Sequence, residues 1–258
     1  MPSKSLLFPA IDYSAMGHRQ EVVSWQLKDI CPYCGGVLRS SNKTVDHIPS
    51  KVLLDKPYPP NLAAIPCCKS CNRSFSFDEE YTSVLLECVK HQTFDPNSFS
   101  REPTKKTVLH TPSLIETVRQ RVKFESKDRF AIDSDDNRFK AVLLKLVKAH
   151  LRFEESLFLI NNTDIRLSFS SIDKMSDLEV SRFAMPFSSG LLPEVGSRAL
   201  ESVMVIQDEN AQPIGYCSPW ICYQKDTYSF CVASAGDKVK ILLHDFICVS
   251  AELYEPTY

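Results

Sequence analysis

Glycine is scarce in this chain of 258 residues: there are seven, and no glycine-rich run of the kind that cradles phosphates. That absence excludes the common nucleotide-binding loop, so the chain itself is not expected to hydrolyse ATP. No stretch approaches the roughly 18 apolar residues that a membrane span needs. The opening MPSKSLLFPAIDYSAMGH carries one lysine and a short apolar stretch broken by Pro9 and Asp12. It is too short for the apolar region of a signal peptide. A cytoplasmic protein without membrane contact is therefore expected. Internal repeats and low-complexity tracts are also lacking, as is strong charge of one sign. A net charge of -2 does not by itself announce a nucleic-acid binder.

What is present is an apolar content of 43%, enough for one large core or two modest ones. The charge is segregated. Between Cys31 and Phe75, Arg39, Lys43, Lys51, Lys56, Lys69 and Arg73 face only Asp46 and Asp55, a net +4. From Glu201 to Tyr258 three basic residues stand against eight acidic ones, a net -5. A basic front can attract phosphates even in a slightly acidic chain, although chance segregation of solvated charges gives the same count. Of ten cysteines, four fall into CxxC pairs. Cys67, Cys88, Cys217, Cys222, Cys231 and Cys248 are scattered, several in apolar surroundings, as buried reduced thiols are.

The order of patterns predicts an α+β chain. VVSWQL (Val22–Leu27) is a short ordered element of open type, and residues 31–90 form a motif-rich block. His91–Ser113 is polar with three prolines and reads as a linker or long excursion. A helix is expected over Ser113–Phe124, with Ser113 and Glu116 as a capping box. A second helix, Asn137–Phe158, places Phe139, Val142, Leu143, Leu146, Val147, His150 and Leu151 on one face. His150 on that face reads as a core histidine. DSDDN (Asp133–Asn137) opens like a calcium loop, but Arg138 stands where Gly is needed, so it reads as a helix N-terminus. Strands are expected within Glu201–Gln207, Ile214–Gln224, Tyr228–Ser234 and Val239–Leu253, with turns at Asp208-Glu209-Asn210 and Gly236-Asp237. Together these form an antiparallel sheet packed on the long helix.

The strongest chemical signal is CPYC (Cys31–Cys34) paired with CKSC (Cys68–Cys71). Four thiolates are the complement of a structural tetrahedral zinc. Gly35-Gly36 lets the backbone turn after the first pair. Cys67 with Cys71 is the competing spacing, and Cys68 is preferred because CxxC then matches the first pair. Between the pairs lie TVDHIPSK (Thr44–Lys51) and PPNLAAIP (Pro59–Pro66), and Asn72 follows the last cysteine. Phosphodiester hydrolysis needs a base for water, and His47 has the ordinary pKa for it. Adjacent residues of an extended strand point to opposite sides, which sets Asp46 against His47.

Taken in order, CxxC, Asp-His-(x)-Pro, Asn-Leu and CxxC-Asn resemble the signature of HNH, or ββα-metal, endonucleases. More narrowly, Asp46–Tyr81 resembles a group of bacterial HNH proteins in which a similar FSxDEEY tail follows the second knuckle. The resemblance covers residues 31–81, about a fifth of the chain. It departs from the broader pattern in having Ile48 alone before Pro49, and Asn72 where His is usual. It implies a zinc-stapled HNH domain over residues 1–100; the patterns beyond it read as a helical segment and a mainly antiparallel β C-terminal domain over 101–258, for targeting, a partner protein or homodimerisation. It also implies a metal-dependent cut of DNA leaving 5′-phosphate and 3′-hydroxyl ends, a chemistry compatible with bacterial defence. In the roles it implies, His47 is the base, Asn61 orients it, and Asp46 and Asn72 hold Mg²⁺ or Mn²⁺, as oxygen donors suit. Cys31, Cys34, Cys68 and Cys71 hold zinc, which locks the knuckle carrying Asn72. Lys51, Lys69 and Arg73 are candidate phosphate contacts, or ordinary solvated charge. Asp78, Glu79 and Glu80 start a helix, or one of them completes the metal shell. The rival readings are a zinc-stabilised binding module without catalysis and a nuclease subunit silent without a partner.

Overall fold

The computed structural model describes residues 10–12, 28–60, 62–125, 129–158, 164–189, 192, 203–233 and 236–254. The expected element at Val22–Leu27 and the expected role of Asn61 lie outside these residues. Strand β1 (Ala10–Asp12) is followed by the motif-rich block, in which β2 (Lys43–His47) and β3 (Ala64–Cys68) pair antiparallel and α1 (Lys69–His91) continues directly from β3. Then come α2 (Glu102–His110), α3 (Ser113–Arg119), the small hairpin β4 (Lys123–Glu125) and β5 (Arg129–Ala131), and the long α4 (Asn137–Glu155). The rest comprises β6 (Ile165–Ser171), α5 (Asp177–Ala184), β7 (Phe187–Ser189), β8 (Met204–Gln207), β9 (Pro213–Ser218), β10 (Trp220–Gln224), β11 (Tyr228–Val232), β12 (Lys238–Leu243) and β13 (Ile247–Leu253). The chain is thus α+β.

Six strands form the main sheet in the order β1-β10-β11-β12-β13-β6, antiparallel except where β1 runs parallel to β10. A second sheet has the order β7-β9-β8. Helix α4 lies between α1 on one side and β11 and β12 on the other. All seven residues of its predicted face are buried, as an apolar stripe at helical spacing requires. His150 is among them; its Nε2 lies 2.7 Å from the Tyr228 hydroxyl and its ring stacks on Phe230. One contiguous core takes in Cys31, Tyr33 and Leu38, then α1, α4 and the sheet as far as Ala251. The expected boundary near residue 100 does not coincide with a break in this packing. No helix among the described residues is long and apolar enough to cross a membrane.

Several elements differ from expectation for local reasons. Helix α1 begins at Lys69, so Asp78–Glu80 lie within it and do not start it. Its N-cap is Cys68, whose Sγ accepts from the Cys71 amide, a role that Ser or Asp fills in ordinary caps. Residues 91–113 contain α2, where Pro103 occupies the first turn, a position in which the missing N–H costs nothing. The capping box at Ser113 is not formed: Pro112 is the N-cap, and Glu116 pairs with Arg119. Helix α3 ends at Arg119, leaving Phe124 in β4. Helix α4 stops at Glu155 because Ser156 turns left-handed at φ 55°. The segment Val239–Leu253 is two strands, turning at His244 and Asp245 with φ of 51° and 61°. At the Gly236 turn φ is +67°, and a Cβ there would meet Leu157 Cδ1 at 2.6 Å; only glycine fits.

The N-terminus of α4 forms as its sequence predicts. Asp136 Oδ1 accepts from the amides of Arg138 (2.9 Å) and Phe139 (3.1 Å), and Oδ2 accepts from the Tyr81 hydroxyl. Asp136→Ala is expected to lower the unfolding free energy by about 1–2 kcal/mol, read from urea denaturation. Asp136→Asn, which keeps a capping oxygen, should lose much less.

Candidate functional site

Two knuckles bring Cys31, Cys34, Cys68 and Cys71 together, with all four Sγ atoms within 4.8 Å of one another. The first knuckle closes through Cys31 N–H to the Gly36 carbonyl (2.8 Å) and Gly35 N–H to the Cys31 carbonyl (3.0 Å). Gly35 takes φ +73° to make that turn. The second is the end of β3 running into α1, where the Cys68 amide donates to Cys31 Sγ and the Cys71 amide to Cys68 Sγ, each at 3.4 Å. Four sulfurs at about 2.3 Å from a tetrahedral zinc stand roughly 3.8 Å apart, and Cys34 Sγ lies 3.9 Å from Cys68 Sγ. The cluster can hold a metal ion such as zinc. Cys67, one position away on β3, points to the other side and is buried in the core, where burial and then the Asp46 charge push its thiol up to about 12. The alternation of the strand thus selects Cys68 over Cys67 as ligand.

The same alternation separates Asp46 from His47. Asp46 is 5% exposed. Its Oδ1 and Oδ2 lie 3.0 and 2.8 Å from Lys145 Nζ of α4, and Oδ2 also accepts from the Tyr33 hydroxyl. Lys145 Nζ further donates to Ser50 Oγ at 2.8 Å and to Glu79 Oε1, and Ser50 Oγ donates to the same Glu79 oxygen. Burial, then the Asp46 charge, hold the Tyr33 phenol well above its ordinary pKa. The rings of Phe75 and Tyr33 lie 5.5 and 5.9 Å from the ammonium. The expected role of Asp46 as a ligand for Mg²⁺ or Mn²⁺ does not fit this placement, because both its oxygens are engaged by an ammonium and a phenol inside the core.

His47 ends β2 on the opposite side, half-buried, opposite Ala64. No hydrogen bond joins its ring to another described residue. Its pKa lies below the ordinary 6.5, chiefly through burial, then through the positive charge of Lys51. Lys51 opens the short 3-10 turn after β2, and its Nζ and that of Lys56 lie 5.6 and 6.0 Å from the Tyr58 ring centre. Asn72 sits in the first turn of α1, half-buried, on the helix face that continues through Phe75 and Glu79 toward Lys145. Lys69 and Arg73 are exposed one turn apart on α1, and Lys69 Nζ donates to the Ser41 carbonyl at 2.9 Å. Asp78 pairs with Arg138 at 2.6 Å and Glu79 with Lys145, so neither is an open metal ligand.

The connection after His47 is clamped at residues 52–55 from outside its own motif. Gln224 of β10 accepts from the Asp55 amide (2.7 Å) and donates to its carbonyl (2.9 Å). Arg101, 3% exposed, donates from Nε to Asp55 Oδ1 and from Nη2 to the carbonyls of Val52 and Leu54. Neither residue carries a motif that announces this role. Lys145 likewise reads as a solvated position in its helix, and Ser50 and Tyr33 stand inside motifs for which other residues supply the chemistry. Comparison with protein-family models, with curated proteins and with solved structures finds no significant match to this chain.

Proposed function

We propose that the chain is an endonuclease that hydrolyses phosphodiester bonds of nucleic acid, DNA by the resemblance of residues 31–81, with His47 as general base. The observation that carries this reading is the hairpin-plus-helix unit of β2, β3 and α1, stapled by four cysteines, with His47 at the end of its first strand and Lys51 beside it. A histidine with a lowered pKa is neutral at pH 7 and can take a proton from water. The hydroxide so formed attacks phosphorus, the bond to the 3′-oxygen breaks, and that oxygen takes a proton back, leaving 5′-phosphate and 3′-hydroxyl ends. Lys51, with Lys69 and Arg73 further along the unit, offers positive charge to the phosphates. Zinc is the metal proposed for the four-cysteine site, since thiolates select it. No step is assigned to a divalent ion on Asp46.

The test is cleavage of supercoiled plasmid by the zinc-loaded protein, with Mg²⁺, with Mn²⁺ and with neither. His47→Ala should lower the rate about 10²–10⁴-fold. For the active protein the rate should fall as pH drops through a value below 6.5, because His47 must be neutral to act and its pKa is lowered. A rate that survives His47→Ala overturns the assignment of the base. The sequestering of Asp46 favours a second reading, a zinc-stabilised binding module without catalysis. It predicts a folded, zinc-loaded protein that retards DNA on a gel, cuts none, and binds equally well after His47→Ala.

A further inference from the structure

We infer that the cation of the Asp46 site is the chain's own Lys145 ammonium, and that a divalent ion does not take Asp46 as a ligand. Four separate elements build the cage: Asp46 from β2, Ser50 from the connection after it, Glu79 from α1 and Lys145 from α4. An ammonium has three N–H groups, and each has an oxygen here: Asp46, Ser50 and Glu79. Lys145 and Asp46 are 2% and 5% exposed and Glu79 6%. A lysine is not buried so deeply unless it is paired, and this one faces two carboxylates. The Asp46 oxygens stand 2.8 and 3.0 Å from the nitrogen. Those are hydrogen-bond lengths; Mg²⁺ demands oxygens at about 2.0–2.1 Å in an octahedron. Two carboxylates around one Lys145 ammonium also carry a single excess negative charge, so removing the ammonium leaves a compact acidic oxygen site.

The inference goes beyond the hydrolytic reading and is tested by ion binding, not by activity. The probe is Mn²⁺, followed by electron paramagnetic resonance on the full zinc-loaded chain; a hard ion prefers oxygen and leaves the thiolates to zinc. The wild type should show no Mn²⁺ site that Asp46→Asn abolishes. Lys145→Met removes the ammonium and keeps the stem, and should gain one Mn²⁺ site at least ~10-fold tighter than any in the wild type, by the charge and hard-oxygen preference of such ions. That gain should vanish in the double variant Lys145→Met, Glu79→Gln. A wild-type Mn²⁺ site lost in Asp46→Asn overturns the inference. So does a folded Lys145→Met, verified by zinc content and circular dichroism, that gains no site. Should Lys145→Met fail to fold, the comparison of wild type with Asp46→Asn decides alone.

Discussion

Cys68→Ser is expected to purify with little or no zinc and to melt about 6–20 °C below the parent. Structural zinc sites in small peptides supply about 10–16 kcal/mol of folding free energy. Here the site is joined to a large core, so only part of that appears as stability. A third of it, about 3–5 kcal/mol, lowers Tm by roughly 2–4 °C per kcal/mol in a chain of this size. Cys68 carries more than a ligand: its Sγ caps α1 and its amide reaches Cys31 Sγ. The same cap therefore loosens when the ion leaves. Cys67→Ser, one residue away, should keep full zinc while still costing stability through its buried site. Metal analysis and calorimetry of the two variants side by side separate the roles; zinc lost in Cys67→Ser and kept in Cys68→Ser would show that the second knuckle uses Cys67.

Arg101→Ala should destabilise the protein by about 3–5 kcal/mol. Truncation leaves the carbonyls of Val52 and Leu54 without the donor that now reaches each, while the Ser83 hydroxyl loses Arg101 but keeps Thr104. Each orphaned buried group costs about 1–3 kcal/mol. The ion pair with Asp55 adds little to this sum, since that carboxylate is 39% exposed and screened by water. Arg101→Lys should recover only a minor share, because one ammonium cannot reach three separate directions as a guanidinium fork does. Urea denaturation gives the energies. The connection after His47 is what Arg101 holds, so the activity of the variant, if it is a nuclease, should fall before it unfolds.

How far the sequence was legible depended on whether a signal was local. The stripe of α4 could be read because seven apolar positions repeat at helical spacing, and the choice of Cys68 followed from the matched CxxC spacing. The opposite orientation of Asp46 and His47 followed from strand alternation alone. The resemblance alone implied that Asp46 holds a metal beside the base His47, and in the structure Asp46 instead faces Lys145. What could not be read was set by partners distant in sequence. Lys145 looks solvated within its helix until α1 and β2 close over it. The turn at His244-Asp245 lacks the Asn-Gly or Asp-Gly pair that marks such hairpins, so two strands read as one. Helix α2 was hidden by Pro103, which breaks a helix interior yet suits its first turn.

The edge strand β1 has a consequence for how the molecule is made. Ala10 lies opposite Trp220, 210 positions further along the chain. Ribosomes elongate at about 5–20 residues per second, so β1 emerges roughly 10–40 s before its neighbour exists. Through that interval the first strand must wait unpaired, and β10, once made, offers an open edge until β1 arrives. The main sheet is complete only when two segments 210 positions apart have met, so its closure waits until β10 has been made.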